Sequence, residues 1–470
     1  MEKSHLVHIL LTFDKKELRE LRKWLQSPAH NLRQDVVNLF DYLVANDHLH
    51  SEKHLIKEKV FAAVYPGRTF SDEEMRQAMH FLFKAVENYL AHAELLKDEV
   101  RSKIILAKVY RQRQLPKLFQ KTIEEARKTQ AQQSFRNHLF FENEYTLQFE
   151  QYTYLSGLGR TVPLNLQEVS DANDVAFLAN KLQLSCIMLS HQAVFKTDYK
   201  MNLLDDLLKQ LEANPQFLEI PAIAIYYHQF RAITQPENEA HYDNLKAHIM
   251  QHGDLFPSQE IRVIYLLTLN YCIGRINAGQ SAFLKESLDL YKKGLEINIF
   301  LENGVLSRFT FGNIVSIALS LKEFGWVENF IQKYSADLEE KHREALVHFN
   351  LARLDFEKKD YKTAMRQFAQ LDYDDFLLNL SAKTMLLKMY YELDEFNALD
   401  SLLGSMRTYL QRKKVMGYHK SNYKNILHFT KKLLRTTAYG KEQKEKLRHE
   451  IEAANPLTER RWLLEQLDKL

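Results

Sequence analysis

Apolar side chains recur along nearly the whole chain at intervals of three and four residues, the spacing that places them on one face of an α-helix. In residues 15–25, Leu18, Leu21, Trp24 and Leu25 share such a face. Asp14 precedes them as an N-cap and Glu17 follows three residues on, the pattern of a reciprocal capping box; Ser27-Pro28 marks the end. A second helix is predicted over about 31–46, with Val36, Val37, Phe40 and Leu43 turned inward. Pro66-Gly67 is a turn signal. The run Ser71-Asp72-Glu73-Glu74 then opens a long helix to about residue 96, whose inner side carries Met75, Met79, Leu82, Phe83, Val86 and Leu90. Read this way, the chain holds about 22 helices joined by short polar loops, and no stretch alternates as a half-buried strand does. Breaks fall near 96–100, in the loop 156–163 and at the turn 235–238. The expected organisation is an N-terminal helical domain (1–97), an irregular helix-pair array (98–309), a set of repeats (310–405) and a basic C-terminal helical cap (406–470).

The repeats show as a 35-residue register. Trp326, Tyr361 and Phe396 keep it, as do Leu321, Phe356 and Tyr391, and Ser316, Leu351 and Leu386. Each unit reads helix, tight polar turn, aromatic, helix. Such a hairpin exposes an apolar face that only its neighbours can cover, so the units must stack. Leu351-Ala352, Asp360-Tyr361, Ala364 and Phe368 resemble the tetratricopeptide (TPR) signature. The following unit departs from it, with Leu399 at the small-residue position, and the preceding one departs further, with Asn329 and Lys333. The resemblance covers about 310–405 and implies an all-α fold, a right-handed α-α superhelix in the manner of a TPR-like solenoid, with a helical N-terminal cap. An irregular helical bundle fits the same pattern.

The resemblance also implies a concave surface built from the first helix of each pair. Its groove positions fall on Arg353, Phe356 and Glu357, on Lys388, Tyr391 and Glu392, and on Lys322 and Leu321. The charged members, Lys322, Arg353, Glu357, Lys388 and Glu392, are expected to meet a partner, because burying them unpaired is costly. Phe356 and Tyr391 suit an inter-repeat core equally well. At the two ends, Phe13-Asp14-Lys15-Lys16-Glu17-Leu18 and Glu459-Arg460-Arg461-Trp462-Leu463-Leu464 resemble helical proteins of Bacteroidota-type bacteria, a likeness that implies no activity.

Composition narrows the function. Only 13 Gly and 9 Pro stand in 470 residues, too few for hairpin-rich β folds or phosphate-cradling loops. Nucleophile-elbow, P-loop and H-E-x-x-H motifs are missing. Ser156-Gly157-Leu158-Gly159 has a lone G-x-G and no preceding strand, so it reads as a loop. His248 and His252 are spaced to share a metal, with His241 upstream, but no ligand set completes itself around them; His48, His50 and His54 read likewise as surface residues. Cys186 lies in an apolar helical run and Cys272 stands far from it, the usage expected of a reducing cytoplasm. No catalytic residue, cofactor or metal is expected, and no membrane span.

Net charge is +3, which hides a step along the chain. Residues 401–441 contain no acid and ten basic residues, after a stretch, 371–400, with seven acids and two Lys. The candidate basic patch is Arg407, Arg412, Lys413, Lys414, Lys420, Lys424, Lys431, Lys432 and Arg435. Such a patch serves solubility, pairs with acidic neighbours, or contacts a polyanion. The leading expectation is a non-enzymatic scaffold or adaptor that binds a peptide or protein on its concave surface. The alternative is a nucleic-acid-binding regulator that uses the basic C-terminal helices.

Overall fold

A computed structural model describes residues 1–195, 197–370, 376–412, 417–436 and 440–470. The fold is all-α. Helices α1 (His5–Leu10), α2 (Lys15–Gln26), α3 (Gln34–Val44), α4 (Lys57–Val64), α5 (Asp72–Lys97), α6 (Glu99–Gln112), α7 (Pro116–Gln132), α8 (His138–Ser156), α9 (Leu166–Phe195), α10 (Leu204–Ala213) and α11 (Pro221–Thr234) run through the first half. The second half contains α12 (Glu239–His252), α13 (Ser258–Asn277), α14 (Ala282–Glu296), α15 (Arg308–Ser320), α16 (Phe324–Tyr334), α17 (Glu340–Glu357) and α18 (Tyr361–Gln370). It ends with α19 (Phe376–Glu392), α20 (Phe396–Arg412), α21 (Gly417–Arg435), α22 (Lys441–Ala453) and α23 (Arg460–Lys469). One small hairpin, β1 (Leu301–Glu302) with β2 (Val305–Leu306), was not foreseen. Its signal is the pair Asn303-Gly304, both at positive φ (53° and 78°), the requirement of the tightest hairpin turn. Two-residue strands are too short to show alternation.

The chain forms two compact units, Met1–Tyr227 with His248–Leu255, and His228–Ala247 with Phe256–Leu470. In the first, α2 starts as its sequence requires. Asp14 Oδ1 accepts from the N–H groups of Lys16 and Glu17 (2.6 and 2.8 Å), and Glu17 accepts from the Asp14 N–H (2.9 Å). A cap of this kind contributes about 1 kcal/mol. Helices α1 to α5 then close over one core that includes Leu21, Leu25, Phe40, Phe61, Met75 and Leu82. Beside it, desolvation alone would raise the Asp35 pKa. Hydrogen bonds from Arg33 and Tyr65 outweigh it and hold the carboxyl below its ordinary value. Further along, the Arg111 guanidinium of α6 grips Glu150 of α8 at 2.5 Å.

One turn recurs between paired helices. A residue in the left-handed region ends the first helix, and the next N–H reaches back five residues to a carbonyl, which satisfies an end the helix leaves open. The bonds are Leu115 N to Tyr110 O, Gln280 N to Arg275 O, Glu323 N to Ala318 O, Asp360 N to Asp355 O and Glu395 N to Tyr390 O, all 2.9–3.0 Å. The left-handed residues are Gln114, Gly279, Lys322, Lys359 and Asp394. Thus α6–α7, α13–α14, α15–α16, α17–α18 and α19–α20 are hairpins of one design. The turns of the last two stand 35 residues apart (Lys359 and Asp394), as the register requires, whereas that of α15–α16 stands 37 before the next (Lys322 and Lys359). The α13–α14 pair shares the turn but stands further from α15–α16 in sequence, because the β1–β2 hairpin intervenes.

Candidate functional site

The surface singled out by the repeat register lies on α17 and α19. Phe356 of α17 is buried, stacked 5.4 Å from Tyr361 of α18. Its other neighbour is Lys388 of α19, whose ammonium sits 5.0 Å from the Phe356 centroid. Lys388 is only 8% exposed. It is not open to a partner, because Nζ donates to Glu459 Oε2 at 2.8 Å and the Trp462 ring lies 5.9 Å away. Glu392 is committed in the same way. Its carboxylate accepts from Trp462 Nε1 at 2.8 Å, from Lys359 Nζ at 3.4 Å and from the Tyr361 hydroxyl. Burial pushes the Glu392 pKa up, but these donors prevail and hold it below its ordinary value. Tyr391 meets Trp462 edge-on, centroids 5.4 Å apart.

The expectation that Lys388 and Glu392 face a foreign partner therefore requires correction: both face the chain's own C-terminus. Glu459 adopts a left-handed conformation (φ 55°) and leads into α23, whose Trp462, Leu463 and Leu467 are buried against a core that includes Leu399, Leu403, Ile426 and Leu433. The reason is electrostatic and hydrophobic together. A Lys and a Glu one turn apart on α19 offer a donor and an acceptor, and Glu459 with the indole N–H of Trp462 supplies the complement. A charge pair removed from water in this way persists because both partners are satisfied.

The other groove residues fare differently. Lys322 is exposed and sits in the turn itself (φ 60°), off the helix face. Glu357 is exposed at the end of α17. Arg353 is half-buried, and its guanidinium donates to Ser316 Oγ (3.0 Å) and Asn350 Oδ1 (3.3 Å).

Of the basic patch, Arg407 and Arg412 are exposed on α20. Lys420, Lys424, Lys431 and Arg435 fall on one face of α21, and none makes an ion pair with a described residue. Lys432 turns aside to Glu450 of α22. Lys413 and Lys414 lie outside the described residues.

Cys186 is fully buried, its thiol directed at the Tyr226 carbonyl (3.3 Å), and burial raises its pKa far above the usual thiol value. Burial likewise pushes Cys272 up to about 11. The rings of His248 and His252 lie 5.8 Å apart. Among the described residues no three His, Cys, Asp or Glu converge to hold a metal, and no helix is long and apolar enough to cross a membrane. Compared with known proteins, the chain matches no family model, no curated protein and no solved structure.

Proposed function

We infer that the protein is a non-enzymatic interaction scaffold of the cytoplasm, a TPR-like solenoid in its second unit that recognises a peptide or protein segment on the inner faces of its helix pairs. One observation carries this reading. One face of α19 already holds a helical segment, the chain's own α23, through an acid on Lys388 and an aromatic donor on Glu392. A surface that seats one amphipathic helix by anchors spaced along it has the chemistry of helix-in-groove recognition. Exposed Glu357, at the end of α17, and Lys322, in the turn after α15, are then the positions left for a second chain. Crosslinking of the full chain in its native cell tests the reading. Crosslinks to one partner should map to α15, α17 and α19, and Glu357→Arg with Lys322→Glu should abolish them. Crosslinks confined to other helices would refute it.

The stripe Lys420, Lys424, Lys431 and Arg435, which makes no ion pair among the described residues, favours a second reading, a polyanion contact by α21. Phosphate contacts release counterions, so such binding weakens steeply with salt. Retention on heparin or DNA at about 50 mM salt, lost on reversing Lys420, Lys424 and Lys431 to Glu, is the expected result; no retention rules this reading out.

A further inference from the structure

Beside the docked C-terminus lies a cavity of about 250 Å³, walled by α15, α17, α19, α21 and the Thr458-Glu459 stretch. Arg353 contributes its guanidinium to the wall. Both of its hydrogen-bond partners are neutral. Ser316 gives its own proton to the Gly312 carbonyl (2.7 Å) and Asn350 donates its amide to Leu346 O (2.8 Å), so each is left as an acceptor for Arg353. No carboxylate oxygen of a described residue comes within 4.0 Å of the guanidinium. Desolvation holds the Arg353 pKa below its ordinary value, against the more distant charges of Glu357 and Glu459.

Glu459 faces the same cavity, yet it belongs to Lys388, which holds it at 2.8 Å. Those two form an ion pair, whereas Arg353 makes none with a described residue and feels Glu357 and Glu459 only at a distance. The Thr384 hydroxyl is spent on the Leu380 carbonyl. Ser381 and Tyr423 share a single hydrogen, their oxygens 3.3 Å apart, which leaves one of the two hydroxyl protons free to donate. Phe349 and Met385 supply apolar wall. A desolvated cation with neutral partners is costly, and an anion that completes it recovers that cost.

We propose that this cavity binds a small oxyanion, a phosphate monoester or a compact carboxylic acid, with Arg353 as counter-charge and the Ser381–Tyr423 pair as hydroxyl donor. A guanidinium presents a planar fork of N–H donors that suits two oxygens of either group. A volume of about 250 Å³ suits a small molecule. This site is independent of the docking reading; either can fail alone.

The test is thermal unfolding and calorimetric titration of the full chain with inorganic phosphate and with succinate, against chloride at equal ionic strength. The melting temperature should rise saturably with phosphate, succinate or both, and not with chloride; the stronger response assigns phosphate monoester or carboxylic acid. Arg353→Met should melt higher than the parent without oxyanion, since the uncompensated cation is gone, and should bind at least tenfold more weakly. Ser381→Ala with Tyr423→Phe keeps the cation and should weaken binding severalfold, a readout that survives if Arg353→Met fails to fold. The proposal is overturned if the parent shows no saturable response at about 20 mM, well above a millimolar Kd, or if both variants respond as the parent does.

Discussion

A β-carbon at Gly294 would lie 2.2 Å from Cε2 of Phe300. That ring is itself 1% exposed and wedged against Tyr265 and Tyr291, so it has nowhere to move. Gly294→Ala is expected to destabilise by about 1–3 kcal/mol, the usual effect of overpacking. Adding Phe300→Leu should restore part of the loss in urea unfolding; an Ala variant as stable as the parent would contradict the packing described. Lys322 presents the opposite case. It is exposed, and its left-handed backbone costs a side-chain-bearing residue about 1 kcal/mol. Lys322→Gly should therefore raise stability by roughly 0.5–1 kcal/mol, read as a later denaturation midpoint at unchanged slope. Both sites differ in how far they can be read in sequence. The 35-residue register points to a turn close to Lys322 while placing Lys322 itself on the helix as a groove position, whereas nothing near Gly294 announces that a ring six residues away folds back onto it.

At the scale of elements, helices such as α2 and α5 were legible because their signals are local. A cap, an acidic first turn and one apolar face determine start, end and orientation together. The docking of α23 was not legible. Glu392 and Trp462 meet across 70 residues, and no periodicity links them. The general rule that charged groove residues stay open failed at Lys388 and Glu392 because a complementary pair from the same chain was at hand. The pH dependence of this contact has a definite sign. Glu392 is held below its ordinary value of 4.5, so its contribution is complete above that value and is lost as pH falls through the lower folded-state value. Glu392→Gln should cost about 1–3 kcal/mol near neutrality, the penalty for disrupting a buried charged hydrogen-bond set. The gap between variant and parent should narrow as pH falls below 4.5 and close once pH passes the lower folded-state value. A gap that stays constant down to pH 3 would show that the carboxylate charge contributes nothing.

Across the whole molecule, scarce Gly did not mean few sharp turns. Among the described residues, positive φ is adopted by ten residues other than Gly and by only four Gly. Asn, Asp, Lys and Gln fill the helix ends that Gly usually occupies, which is how a chain with 13 Gly makes so many helix reversals. Composition therefore indicated the fold class correctly, while it concealed the device that connects the helices. The near-neutral total charge hid the cationic face of α21 in the same way.

The two cysteines acquire a practical meaning from their positions. Cys186 belongs to the first compact unit and Cys272 to the second, and both thiols are sealed from water with raised pKa values. Each unit thus carries one native chemical reporter of its own opening. Reagent thiol labelling should be far slower than for an exposed cysteine in buffer and complete in denaturant, because only the thiolate reacts. Mapping the modified peptide at intermediate denaturant would then time the opening of each unit separately, with no engineered probe.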